Sequence, residues 1–137
     1  MSFTDDLCDR YVAVWSERDP ERRRAMVTEL WAPDGEHVLL PPQEVRDLAA
    51  DLKMSPAFEV RGHRELEARV TDTYERFIAP GEYQFQRRDD AERLRDAIKF
   101  RWEMVSTQDG SVAGVGLEFL LTDAEGRIRT DYQFIES

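Results

Sequence analysis

Two periodicities divide this chain, and the border between them falls at Pro80-Gly81. Beyond it, apolar and polar residues alternate one by one. Tyr83, Phe85 and Arg87 alternate with Gln84 and Gln86, and Ile98, Phe100, Trp102 and Met104 alternate with Lys99, Arg101 and Glu103. Strict alternation marks strands with one buried face. Gln108-Asp109-Gly110 reads as a turn, 112–122 as a long strand, Asp123-Ala124-Glu125-Gly126 as a turn, and 127–135 as the last strand. A meander of long strands must bury its apolar face against something, and the N-terminal half is what remains.

That half is helical. Thr4 followed by Asp5 and Asp6 reads as an N-cap, and Leu7, Tyr11, Val14 and Trp15 recur at helical spacing, which predicts a helix over about 4–17. Asp19-Pro20-Glu21 starts a second helix with Met26, Val27, Leu30 and Trp31 as its stripe, and Pro33-Asp34-Gly35 should end it in a turn. His37 to Leu40 is a short strand closed by Pro41-Pro42. Gly62 opens a third strong helix, with Leu66, Val70, Tyr74 and Phe77 in step. Helices followed by a strand meander make an α+β domain, with the helices on one face of the sheet. At 137 residues, without repeat or linker, 1–137 reads as one domain.

Charge narrows the partners. Net charge is −10, which disfavours phosphate backbones and anionic membrane surfaces, so no nucleic acid and no membrane is expected. Arg22-Arg23-Arg24 lies among Glu21 and Glu29 and reads as a solvated helix face. Cys8 is the single cysteine and reads as packing; with only two distant histidines, no metal is expected. Glycine-rich phosphate loops, serine elbows and dinucleotide fingerprints are absent, so no cofactor is expected either. The start Met-Ser-Phe-Thr-Asp-Asp has neither a basic opening nor an apolar run, and a cytoplasmic location is the expectation.

Several strings in order resemble the nuclear transport factor 2-like superfamily, within it the SnoaL-like polyketide cyclase and ketosteroid isomerase branch. They are Arg10-Tyr11-Val12-Ala13, Leu30-Trp31-Ala32-Pro33-Asp34-Gly35, Phe100-Arg101-Trp102-Glu103 and Asp123 to Ile128. The resemblance spans nearly the whole chain. It implies a cystatin-like cone, a curved antiparallel sheet wrapped around the N-terminal helices, whose open end admits a small hydrophobic molecule. It also implies that Tyr11 matches an oxyanion-stabilising tyrosine and Glu118 a carboxylic acid that keeps its proton. The general-base aspartate of the isomerases falls at Leu39 or Leu40, and neither leucine can take a proton. The segment 43–61 is longer than the corresponding loop and would emerge beside the mouth. Val45, Leu48, Ala49 and Leu52 hint at a short helix there, so a lid over about 44–54 is expected.

The last hairpin carries the candidate chemistry. If Asp123 to Gly126 form its turn, Thr122 pairs with Arg127 and Glu118 lies directly opposite Asp131. Two carboxyls that close in a dry cleft share a proton and can supply acid and base together. Alternation alone puts Leu117, Phe119, Leu121, Ile128, Tyr132 and Phe134 on the core face, leaving the carboxyls in solvent. The resemblance implies the reverse: Glu118, Leu120, Asp131, Gln133 and Ile135 line the cone, and the apolar set pairs with a second copy in a homodimer. On that register the catalytic candidates are Glu118, Asp131, His37 and Tyr11. Trp15, Trp31, Phe100, Trp102, Met104, Leu120, Gln133 and Ile135 are the ligand-binding candidates. The readings that follow are a binding module for a small hydrophobic molecule, or a cofactor-independent isomerase, cyclase or dehydratase acting on a carbonyl compound.

Overall fold

The first helix begins one residue earlier than its acidic run suggests. In the computed structural model, which describes residues 2–55 and 57–136, α1 is Phe3–Ser16, and the Ser2 hydroxyl rather than Thr4 accepts from the Asp5 N–H at 3.0 Å. Its buried face is Leu7, Cys8, Tyr11, Val14 and Trp15, the one-turn and two-turn spacing of an amphipathic helix. Asp19 caps α2 (Pro20–Leu30), accepting from the Glu21 N–H at 3.1 Å. Arg23 departs from the expected solvated face. It is 3% exposed, donates to the Glu17 carbonyl at 2.7 and 2.9 Å, and lies 4.5 Å over the Tyr74 ring.

The expected turn at Pro33-Asp34-Gly35 is instead a bulge inside a strand. β1 (Trp31–Leu40) starts directly after α2, so Trp31 belongs to the sheet and not to the helix stripe. Its register with β7 (Ile128–Ile135) jumps from Trp31 opposite Ile128 to Glu36 opposite Thr130. Proline, having no N–H, fits a position where the ladder is interrupted. Gly35 is required by close approach, since a Cβ there would sit 2.9 Å from the Ile128 carbonyl oxygen.

The chain then runs through α3 (Gln43–Asp51), β2 (Phe58–Arg61), α4 (His63–Thr73), a π-helical turn (Tyr74–Ile78), β3 (Tyr83–Arg87), β4 (Glu92–Leu94), β5 (Ala97–Ser106) and β6 (Val112–Thr122), and closes with β7. The seven-stranded sheet has the order β2-β1-β7-β6-β5-β3, with β4 paired to β5 off that path. β2 and β4 carried no alternation strong enough to predict them. Every junction is antiparallel except β1–β7, which is parallel. That junction corrects the expectation of a wholly antiparallel sheet. The α4 crossover carries the chain to the far edge, and the meander returns to lie beside β1 in the same direction.

The last hairpin is displaced from its expected register. Thr122 pairs with Ile128 rather than Arg127, because the Asp123 N–H closes the turn on the Arg127 carbonyl at 2.8 Å. A bulge then skips Arg129, so Leu121 faces Thr130 and Glu118 faces Gln133. Asp131 therefore lies opposite Leu120, diagonal to Glu118 instead of directly across. The two offsets, one from the turn and one from the bulge, sum to an even number. A shift of two keeps every side chain on its face, whereas a shift of one would invert β7.

Glu118, Leu120, Asp131 and Gln133 consequently point inward and are buried, while Tyr132 and Phe134 are exposed by 38% and 40% on the convex side. Because of the bulge Ile128 turns inward although Tyr132 and Phe134 do not, into a core shared with Leu7, Tyr11, Trp31, Leu66, Ile98 and Phe100. Among the described residues no helix is long and apolar enough to cross a membrane.

Candidate functional site

The hollow of the sheet is incompletely filled. A cavity of about 570 Å³ opens between the sheet, α1, α4 and the π-helical turn, and most of its wall is apolar. Trp15 reaches it from α1, Trp102 and Met104 from β5, Ile135 from β7, Leu39 from β1 and Phe58 from β2. Trp102 lies flat because Gly116 faces it: a Cβ at 116 would come 2.2 Å from the indole Cζ2. Phe85 meets the indole edge-on, with ring centroids 5.4 Å apart.

Asp72, Thr73 and Arg76 line the wall from α4 and the π-helical turn, and Tyr11, His37, Gln133 and Arg69 form one polar cluster on it. Their hydrogen bonds have a fixed direction that can be read from chemistry. Arginine only donates, so Arg69 Nη1, 3.0 Å from His37 Nδ1, makes that nitrogen an acceptor. The imidazole proton therefore sits on Nε2 and is donated to Gln133 Oε1 at 3.1 Å. This orients the amide, whose nitrogen donates to Glu118 Oε1. Trp102 Nε1 donates to the same oxygen at 2.8 Å. On the other side the Tyr11 hydroxyl donates to Asp131 Oδ2 at 2.6 Å.

Two carboxyl oxygens are left over, Glu118 Oε2 and Asp131 Oδ1, both buried without a hydrogen-bond partner among the described residues. A single proton carried on Glu118 Oε2 and offered to Asp131 satisfies both. The energetics agree: burial raises the Glu118 pKa well above the usual carboxyl range, and the charge and hydrogen bond of Asp131 add to it, outweighing the Trp102 and Gln133 donors. Burial likewise pushes the His37 imidazole down, toward the neutral form that accepts from Arg69, against the pull of Asp131 at 3.9 Å. Tyr11 is raised well above the ordinary phenol range, first by burial and then by the two carboxyls, so its hydroxyl keeps its proton.

The structure sorts the sequence candidates into two groups. Tyr11, His37, Trp15, Trp102, Met104, Gln133 and Ile135 border the cavity. Glu118 and Asp131 do not; they lie behind its wall, fully buried, and are linked to it through Tyr11, Trp102 and Gln133. Trp31, Phe100 and Leu120 are core residues beneath the floor. Tyr11 packs against Trp31 and Phe100 with centroids 5.8 and 5.7 Å away, so they position it instead of touching the cavity. Among the described residues no three His, Cys, Asp or Glu side chains converge to hold a metal ion.

A protein from Agrobacterium tumefaciens strain C58, a candidate isomerase of the SnoaL-like family, superposes over 100% of both chains with a TM-score of 0.78 at 23% identity. This chain has the SnoaL-like, nuclear transport factor 2-like fold. An NTF2-like protein of unknown function from Exiguobacterium sp. 255-15 agrees over 96% of this chain and 98% of its own (TM-score 0.64, 14% identity). So does a candidate polyketide cyclase from Sinorhizobium meliloti over 97% and 99% (TM-score 0.60, 14% identity). No protein-family model and no curated protein matches the sequence.

Within this NTF2-like cone, Leu39 occupies the cavity wall at one of the two positions where the resemblance would seat the isomerases' base. The residue sequence reasoning missed is Arg69. Its signal was its place on α4, one residue from the buried Val70 and three from the buried Leu66, on the flank of the core stripe. A charged residue on that flank reads as solvated until the hollow it borders is known.

Proposed function

We propose that this protein binds a small hydrophobic molecule in the cone, with at least one polar oxygen of that molecule at the Tyr11–His37–Gln133–Arg69 cluster. The observation that carries this reading is the cavity itself: an apolar wall of aromatic side chains around one convergent polar group, in the manner of small-molecule sites. Because the Tyr11 hydroxyl spends its proton on Asp131, it presents a lone pair inward and suits a ligand donor. The helix α3 and its flanks expose Leu48, Leu52 and Met54 beside the mouth. In this reading they fold over a bound ligand as a lid. Tyr132 and Phe134, with half-buried Leu117 and Phe119, form an apolar strip on the convex face that suits a second copy of the chain. Cytoplasmic residence belongs to the same reading, and the lone buried Cys8 is compatible with it.

The test uses 2-naphthamide as a probe and the emission of Trp15 and Trp102 as the readout. Saturable one-to-one quenching is expected, and Met104→Glu, which places a charge in the apolar wall, should abolish it. Absence of saturation, or equal binding by the variant, would overturn the reading.

A second reading is proton-transfer catalysis without a cofactor on a carbonyl compound, as an isomerisation, cyclisation or dehydration. It is favoured by the proton that Glu118 retains beside Asp131, and two of the structural neighbours carry isomerase and polyketide cyclase descriptions. Since neither carboxyl borders the cavity, the proton would pass through Tyr11. Carboxyl-carbon NMR titration is the check, and an ordinary value for Glu118 would remove its basis.

A further inference from the structure

Charge on the cavity wall is unevenly matched. Arg76 borders the cavity from the π-helical turn and is paired with Asp72 at 3.1 Å. Arg69, on α4 about two helical turns before Arg76, is half-buried and forms no ion pair among the described residues. Its Nη1 is committed twice, to His37 Nδ1 at 3.0 Å and to the Phe58 carbonyl at 3.1 Å. Its Nε and Nη2 have no hydrogen-bond partner among the described residues. A guanidinium partly withdrawn from water with two parallel donors unused is the geometry that a carboxylate completes in bidentate fashion. Burial is also the leading influence on Arg69 and lowers its pKa, so a bound anion would relieve a real cost.

We propose that the ligand is an apolar carboxylic acid, bound as its carboxylate on Arg69 Nε and Nη2 with its apolar body against Trp15, Trp102 and Met104. This rests on the pocket-binding reading above and adds the class of molecule. The bond set of Arg69 also couples the two ends of the site. The same guanidinium that takes the carboxylate holds His37 in the tautomer that orients Gln133 and Glu118. Arg69 therefore both recognises the ligand and keeps the polar wall in register.

Isothermal titration with 2-naphthoate and its neutral isostere 2-naphthamide tests the proposal. Wild-type protein should bind the carboxylate at least about tenfold more tightly, the scale of a charge-assisted bidentate contact. Arg69→Gln should erase that preference while still binding 2-naphthamide. Arg22→Gln, which removes one exposed positive charge on α2, should keep it. Equal affinity of the two probes for wild type, or a preference that survives in Arg69→Gln, overturns the carboxylate assignment and leaves the pocket reading standing. Failure of wild type to bind either probe overturns both. Should Arg69→Gln not fold, the Arg69 Nε–H resonance of wild type decides: it must shift with 2-naphthoate and not with 2-naphthamide, and its indifference to both refutes the contact.

Discussion

Gln133 joins the visible half of the site to the hidden half, accepting from His37 and donating to Glu118. At this scale the behaviour of Glu118 is the most exposed to test. Its folded pKa is raised, so the native state holds a proton that the unfolded chain releases. The associated stability is complete below the unfolded carboxyl range and is lost as pH rises through the folded value. Glu118→Gln mimics the protonated acid, keeping an acceptor for Trp102 and Gln133 and offering an N–H to Asp131. The variant's advantage over wild type should therefore grow with pH, by at most about 1.4 kcal/mol per unit, and urea melts across neutral pH measure it. His37 gives the opposite limb: its folded pKa is depressed, so stability falls as pH drops below about 6.5 and the unfolded imidazole takes up a proton. Gly116→Ala is a purely steric counterpart. The added methyl must displace the Trp102 ring and break its bond to Glu118, costing about 1–3 kcal/mol in melts and shifting indole emission.

Among the elements, the regular ones were legible and the connections were not. α1, α2, β5 and β6 follow their periodicity to within a residue or two at their termini. Apart from the buried Arg23 and the Ser2 cap, the misreadings involve register. Pro33-Asp34-Gly35 has the composition of a turn but sits in a strand bulge, because β1 needs slack to pair with both β2 and β7. Arg129 is skipped by the ladder with nothing in its identity to announce it. Tyr11 and His37 were legible as candidates because the family resemblance marks their positions, whereas Arg69 needed the cavity to give it meaning. The helix α3 belongs to this scale too. Its amides should gain hydrogen-exchange protection when 2-naphthoate is added, and Leu48→Asp should weaken binding several-fold with little change in melting temperature, since Leu48 is 58% exposed. Unchanged exchange over 43–54 would remove the lid.

For the whole molecule, the net charge of −10 opposes an anionic ligand at long range while Arg69 attracts it at short range. Salt screens exposed, distant charge more than a half-buried contact. Stopped-flow association of 2-naphthoate should therefore quicken with added potassium chloride, and that of 2-naphthamide should stay flat. The convex strip makes its own prediction: wild type should sediment at twice the chain mass and Phe134→Lys as a monomer, with the cavity and its ligand binding preserved.

The even offset at the β6–β7 hairpin sets a rule for how this gene can change length. Removing one codon at the tip would rotate β7 by half a turn, exporting Asp131 and Gln133 to water and driving Tyr132 and Phe134 into the hollow. Losing two codons would merely shorten the loop. Natural or engineered variants at the tip, 123–126, should therefore tolerate paired insertions and deletions better than single ones, whereas loss of Arg129 alone would only erase the bulge and keep β7 on its face.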